Sequence, residues 1–170
     1  MLGLAIRKAE ERDLPQIMEI ECSSFPTPWP EGLLRQYLGE EGFLVCEQDG
    51  RVVGYILVGL RIPSLLSRLE RRTRRLLGHH DDDEPELHVG HIMNLAVARG
   101  QRRRGLGSAL LQAGLDYLRS LGARTVELEV RVSNDPAIRL YQRFGFTIAR
   151  RMPRYYSDGS DAYLMRLSLR

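Results

Sequence analysis

The chain has 170 residues, 43% hydrophobic and 28% charged, with a formal net charge of +3; it suits one globular domain over 1–170 and is too apolar for an intrinsically disordered chain. The longest apolar run, 52–60, falls well short of the ~20 residues a membrane helix needs, and the N-terminus has neither the apolar stretch nor the cleavage site of a secretory signal, so a cytoplasmic protein is expected. Cys22 and Cys46 are far apart and in no paired motif, which argues against a disulfide scaffold or a cysteine-based zinc site and predicts two buried thiols.

Alternation around Leu4 and Ile6 predicts a first strand, and Asp13 with Gln16 makes a capping-box-like start to a helix reaching about 24. Three prolines in Phe25-Pro26-Thr27-Pro28-Trp29-Pro30 remove donors and fix φ. They predict a stiff aromatic loop before a short helix near 31–38 that Gly39 and Gly42 end. The β-rich runs 43–47 and 51–60 flank Asp49-Gly50, a strong hairpin signal, so an antiparallel pair is expected. Residues 62–87 break the pattern. Leucines recur there at helical spacing behind Ser64, with Arg68, Arg71, Arg72, Arg74 and Arg75 mostly on other faces and Asp81 to Glu84 following a glycine. This reads as a surface excursion carrying one basic helix. A strand over 88–98, an amphipathic helix over 105–121 ended by Gly122, and a β-branched strand over 125–132 come next. Asn134 or Ser133 then caps a helix through Phe144, and two strands near 146–152 and 162–169 flank a Ser157-Asp158-Gly159 turn. No internal repeat or low-complexity linker divides the chain.

Lys8 is the only lysine, so the positive charge is almost all arginine, whose planar fork suits phosphate. Arg102, Arg103 and Arg104 stand against Gly105 and Gly107, between a strand and the longest helix. A helix N-terminus offers unpaired N–H groups and the positive end of its dipole, and glycines allow a phosphate to approach the backbone. Gly100 and Gly105 have P-loop spacing, but Leu106-Gly107 replaces the lysine and hydroxyl that contact phosphate and Mg²⁺. Gly105 and Gly107 match two dinucleotide-fold glycines, but Leu110 fills the third position and no acidic residue follows at the required distance. Both nucleotide classes therefore fail on their own chemistry, leaving a basic turn that binds nothing as the plain alternative.

Arg102-Arg103-Arg104-Gly105-Leu106-Gly107 resembles the Arg/Gln-x-x-Gly-x-Gly/Ala signature of the GNAT superfamily of acetyl-CoA-dependent N-acetyltransferases. His91 to Val97, Leu128 to Asn134, Ala137 to Tyr141 and Phe144-Gly145-Phe146 resemble further family segments. Tyr155 to Gly159 with Asp161 to Met165 is similar to the closing hairpin of protein N-terminal acetyltransferases, notably the RimI-like branch and archaeal homologues. Only 62–87 departs from the pattern, being longer than the family's usual connection. The resemblance implies an α+β fold of three α/β/α layers, with a mixed, mostly antiparallel sheet of about seven strands and four flanking helices, plus the inserted basic helix. It implies acetyl-CoA as cosubstrate, no metal, and direct transfer through a tetrahedral intermediate to a protein N-terminus. Implied cosubstrate contacts are Leu95, Ala96, Val97, Arg102, Arg103, Arg104, Gly105, Leu106, Gly107, Ser108, Asn134 and Tyr141. The partners expected are a peptide or protein N-terminus and a ribosome or ribosomal protein, with no membrane, in a monomer or weak dimer.

Acetyl transfer to an amine needs the amine neutral, the developing oxyanion stabilised and the leaving thiolate protonated. An α-amino group, with a pKa near ~7.7–8.0 against ~10.4 for lysine, needs only a mild base. Glu129 and Glu127 lie on one face of their strand, opposite Leu128 and Val130, and the residues alone leave both open, as base or as surface carboxylate paired with arginine. The resemblance favours Glu129 as base. It also makes Tyr141 the general acid reaching the CoA sulfur, where helix spacing alone would read a core aromatic. Asn134 by the same match contacts the pantetheine arm, though N-capping alone would account for it. His91 is an auxiliary base, and the oxyanion donor is a backbone N–H near Leu95 if a bulge splays this strand from the next. Phe25, Pro28, Trp29, Glu31, Tyr155 and Tyr156 are candidates to line the peptide entrance. Two rival functions are acetylation of lysine side chains or small amines, and an RNA- or ribosome-binding module using Arg68 to Arg75.

Overall fold

The computed structural model describes residues 3–61 and 88–169. Seven strands, β1 (Ala5–Lys8), β2 (Phe43–Gln48), β3 (Arg51–Leu60), β4 (Val89–Val97), β5 (Thr125–Arg131), β6 (Thr147–Met152) and β7 (Ala162–Ser168), form one sheet in the order β1-β2-β3-β4-β5-β7-β6. Only β4 and β5 run parallel; every other neighbouring pair is antiparallel. The β2–β3 hairpin turns on Asp49 and Gly50, both at positive φ (55° and 76°), as a tight two-residue turn that matches strand twist requires.

Helices α1 (Leu14–Ser24), α2 (Glu31–Gln36), α3 (Leu106–Ser120) and α4 (Asp135–Arg143) divide between the two faces. Leu110, Leu111, Leu115 and Leu118 of α3, with Ile138 and Tyr141 of α4, pack on Ile56, Ile92, Val126, Leu128 and Val130. Gly114 permits the close approach of α3, since a Cβ there would lie 2.8 Å from Cδ1 of Ile56. On the other face Leu14, Ile17 and Ile20 of α1 and Leu34 of α2 cover Phe43, Val45, Tyr55, Leu57 and Ala96. That second core stays on the β1–β4 side. The β5–β7 surface opposite α3 and α4 therefore carries no helix among the described residues, and it is here that the charged residues of β5 emerge.

Three local expectations need correction or fall elsewhere. Asp13 precedes α1 but its side chain does not cap it. Its carboxylate, 2% exposed, is taken by Arg7 at 2.7 and 2.8 Å and by the Glu10 N–H at 2.8 Å. The Arg7 guanidinium holds that carboxyl below its ordinary range against the opposing effect of burial. Gln16 does not complete a capping box either; its Oε1 accepts the Val52 N–H at 3.0 Å. Cys46 is buried as expected, but Cys22 is exposed, because it lies on the outer side of α1, away from the Leu14-Ile17-Ile20-Glu21 stripe. The basic helix over 62–87 lies outside the described residues.

Candidate active site

The parallel pairing of β4 with β5 runs from Val89↔Thr125 to Ile92↔Leu128 and stops there, although both strands continue. The cause is visible on the other edge of β4. Its register with β3 steps from Leu57↔Asn94 to Val58↔Ile92, so Met93 is an extra, bulged residue. The bulge points Met93 and Asn94 to the same face and bends β4 away from β5. Beyond it, Ala98 N–H donates to Val53 O at 2.9 Å. By strand alternation the N–H groups of Ala96 and Asn94 also face β3, while those of Leu95 and Val97 face the opening. A wedge lined by backbone donors results, of the kind the resemblance leads one to expect at Leu95.

Glu127, Glu129 and Arg131 share one face of β5, alternating with Leu128 and Val130 in the core. Glu129 stands just past the last paired residue, at the apex of the wedge. Its Oε2 lies 2.7 Å from His91 Nε2, and its Oε1 accepts Arg61 Nη2 at 2.6 Å. Burial pushes the Glu129 carboxyl upward, but the His91 and Arg61 contacts outweigh it and hold the group below its ordinary range, so it is ionised at neutral pH. Glu127 is engaged differently. Its Oε1 accepts Arg166 Nε and Nη2 at 3.0 and 2.6 Å, and Arg61 Nη1 is 3.9 Å from its Oε2. The structure thus separates the two carboxylates: Glu127 is tied to a cross-strand arginine on β7, and Glu129 to the histidine of β4.

The two aromatic loops meet beside this pair. Arg131 Nη2 donates to Thr27 Oγ1 at 2.7 Å, its Nη1 reaches both carboxylate oxygens of Asp158 at 2.9 and 3.1 Å, and its guanidinium stacks 4.0 Å over the Tyr156 ring. Tyr155 and Tyr156 pack edge to face at 5.0 Å. Burial chiefly, and then the Tyr155 phenol, push Tyr156 up to about 12, with a smaller contribution from the Glu129 carboxylate. Trp29 leans on Tyr37 at 6.1 Å and, like Phe25, is partly buried against the α1 core. Pro28 is exposed. Glu31 is not brought to the wedge; it is exposed and paired with Arg35 at 2.5 Å.

The segment leading into α3 has Arg103 and Gly105 at positive φ, 66° and 80°. The first intrahelical bond is Ala109 N–H to Gly105 O at 3.0 Å, which leaves the N–H groups of Leu106, Gly107 and Ser108 pointing out of the helix start. Arg102 does not point outward from it: its Nε donates to Val97 O at 3.0 Å and its Nη2 to Ser24 Oγ at 3.1 Å. Arg104 turns to Gln101. Asn134 caps α4, accepting the Ala137 N–H at 3.4 Å. Tyr141 is 7% exposed with its ring 5.7 Å from Phe146; burial pushes its hydroxyl up, so it stays protonated, and it has no hydrogen-bond partner among the described residues.

The model of the Acetyltransferase (GNAT) family matches residues 14–146. An N-alpha-acetyltransferase of Sulfurisphaera tokodaii is 38% identical over 168 residues, covering 96% of this chain and 92% of that protein. The chain belongs to the GNAT acetyltransferase family. A putative ribosomal protein bS18-alanine N-acetyltransferase of Bacillus subtilis is 30% identical, covering 97% of this chain and 95% of its own length. The crystal structure of Ard1 from Thermoplasma volcanium superposes with a TM-score of 0.81 at 30% identity, covering 99% of both chains. The seven-stranded sheet and the four helices among the described residues are the GNAT fold, and the acetyl donor of this acetyltransferase is acetyl-CoA. The donors present fit that cosubstrate: the Val97 N–H can meet a carbonyl of a pantetheine arm, and the N–H groups opening α3 can meet a pyrophosphate. Among the described residues no cluster of potential metal ligands is present and no helix is long and apolar enough to cross a membrane.

Sequence reasoning missed Arg61 and Arg131. Arg131 had a signal, the Glu127-Glu129-Arg131 stripe of period two on the face opposite the core. Arg61 had none, since only sheet register brings it to Glu129.

Proposed function

We propose that the protein is an N-α-acetyltransferase that acts on the free α-amino group of protein and peptide N-termini, a ribosomal protein among the candidates. The observation that carries this reading is the Thr27–Arg131–Asp158 bridge, which closes two aromatic loops over an ionised Glu129 and makes a slot suited to a chain end. The N-α specificity in the names of the relatives from Sulfurisphaera tokodaii and Bacillus subtilis supports it.

Acetyl-CoA supplies the activated thioester carbonyl. The chain's own residues do the rest. Glu129, with His91 as its partner, takes the proton of the attacking amine, directly or through water. The Leu95 N–H, which also donates to Asn94 Oδ1 at 3.2 Å, faces the acetyl oxygen as charge develops there, with the Val97 N–H continuing the donor row; Ala96 lies between them with its N–H turned to β3. Tyr141 donates to the departing sulfur from its O–H. The α3 start from Arg102 to Ser108 holds the pyrophosphate through backbone N–H groups, with Arg103 and Arg104 adding charge; Asn134 contributes its free amide to the pantetheine arm. Phe25, Trp29, Tyr155 and Tyr156 wall the slot.

Removing the bridge tests the slot. Arg131→Ala loses the Asp158 ion pair, the Thr27 hydrogen bond and a stacked cation and should raise peptide KM about tenfold, with acetyl-CoA KM unchanged. An unaltered peptide KM would contradict the slot.

A further inference from the structure

Glu21 is a carboxylate in the wrong place for a surface residue. It is 0% exposed, within the α1 core, and none of the chemistry above uses it. Its surroundings are three donors from three different elements. The Trp29 N–H, in the aromatic loop, donates to Oε1 at 2.7 Å; Asn94 Nδ2, on the β4 bulge, donates to Oε2 at 3.0 Å; and the Tyr55 hydroxyl, 0% exposed on β3, also donates to Oε2. Burial first, and then the carboxylate itself, push the Tyr55 phenol far up, so it is the donor in that bond. With Asn94 Nδ2 committed to Glu21, the amide cannot flip, and its Oδ1 accepts the Leu95 N–H at 3.2 Å, which fixes the main chain at that residue.

We propose that Glu21 is a positioning residue for the acetyl transfer: one buried carboxylate fixes both the main chain of the peptide-binding loop at Trp29 and, through Asn94, the strand segment that presents the Leu95 N–H to the acetyl oxygen. The inference rests on the Leu95 and loop assignments made under the proposed function. The bulge explains why the link is possible. Because Met93 is an extra residue, Asn94 points toward α1, where an unbulged strand would send it to the opposite face. Only a carboxylate serves all three donors. A carboxamide offers a single acceptor oxygen, so it can satisfy Trp29 or Asn94 but not both.

Two variants and one optical probe test the tether. Trp29 is the only tryptophan, so its fluorescence reports the loop without any substrate. Glu21→Gln should lower kcat about tenfold, the effect of one misplaced hydrogen-bond donor, and should make Trp29 more accessible to acrylamide quenching. The dissociation constant for acetyl-CoA should change far less than kcat, because the hydrogen bonds of Glu21 itself go to Trp29, Tyr55 and Asn94 and none reaches the Arg102–Ser108 segment. Asn94→Ala should reproduce the loss in kcat while Trp29 quenching stays at the wild-type level, which separates the two ends. Wild-type kcat and quenching in Glu21→Gln would overturn the proposal. So would a parallel loss of acetyl-CoA affinity, which indicates general loosening. If Glu21→Gln does not fold, wild-type kcat in Asn94→Ala overturns it alone. Free peptide N-termini left unmodified by the wild-type protein would count against the substrate reading only, and quenching in Glu21→Gln would still decide the tether.

Discussion

Glu129→Gln is expected to lower kcat about 10²-fold at neutral pH, the usual cost of losing a general base. The side chain keeps its shape, and one oxygen still accepts from Arg61, so the fold survives. The pH dependence carries the sharper information. Because its two partners hold the Glu129 carboxyl below its ordinary range, it is ionised through the whole neutral region. The acid limb of wild-type kcat/KM then belongs to the amine, near ~7.7–8.0. As pH rises through that limb the amine loses its own proton, so the deficit of Glu129→Gln should shrink. The linkage has a fixed sign: a depressed carboxyl stabilises the fold above its unfolded pKa, and that contribution is lost as pH falls through the folded value. The variant should therefore lose less stability than the wild type on acidification below pH ~4. A pH-independent deficit would mean that Glu129 acts by electrostatics and not as a base. Undiminished activity would remove it from the reaction.

Tyr141→Phe is the cleaner deletion and should also cost about 10² in kcat. The hydroxyl has no partner among the described residues, while the ring packs on Phe146 and in the α3–α4 core. Phenylalanine keeps that packing, so thermal stability should stay within ~0.5 kcal/mol of the wild type or rise slightly. A large kinetic loss without a stability loss would tie the hydroxyl to the departing sulfur. Equal activity would leave Tyr141 as a core aromatic.

Much of the fold was legible because its signals are local. Asp49-Gly50 can hardly be anything but a hairpin, Gly122 and Gly145 stop their helices, and the period-two run at Thr125 sets which β5 residues face the core. Cap and thiol assignments failed where a residue type's usual preference met a competing partner or face. Asp13 found Arg7, a stronger partner than a helix N–H, and Cys22 fell on the wet side of α1. The site was legible only as separate pieces. His91 and Glu129 are 38 residues apart and Thr27 and Arg131 are 104 apart, and what joins each pair is strand order and a bulge, which no local pattern encodes. Glu21 shows the same limit. Its spacing from Leu14 and Ile17 puts it on the buried stripe, yet a glutamate reads as solvent-facing until Trp29, Tyr55 and Asn94 are seen around it.

The most direct measurement pairs two peptides of one sequence containing an internal lysine, one with a free N-terminus and one blocked, each incubated with acetyl-CoA and read by mass spectrometry. At pH ~7.4 a sizeable share of α-amine is neutral but only about one lysine in a thousand is, so a site with one modest base should favour the free N-terminus at least ~100-fold in kcat/KM. Acetylation confined to the α-amine of the free peptide is the expected result. Comparable modification of the lysine in the blocked peptide would contradict the account and make the protein a lysine acetyltransferase.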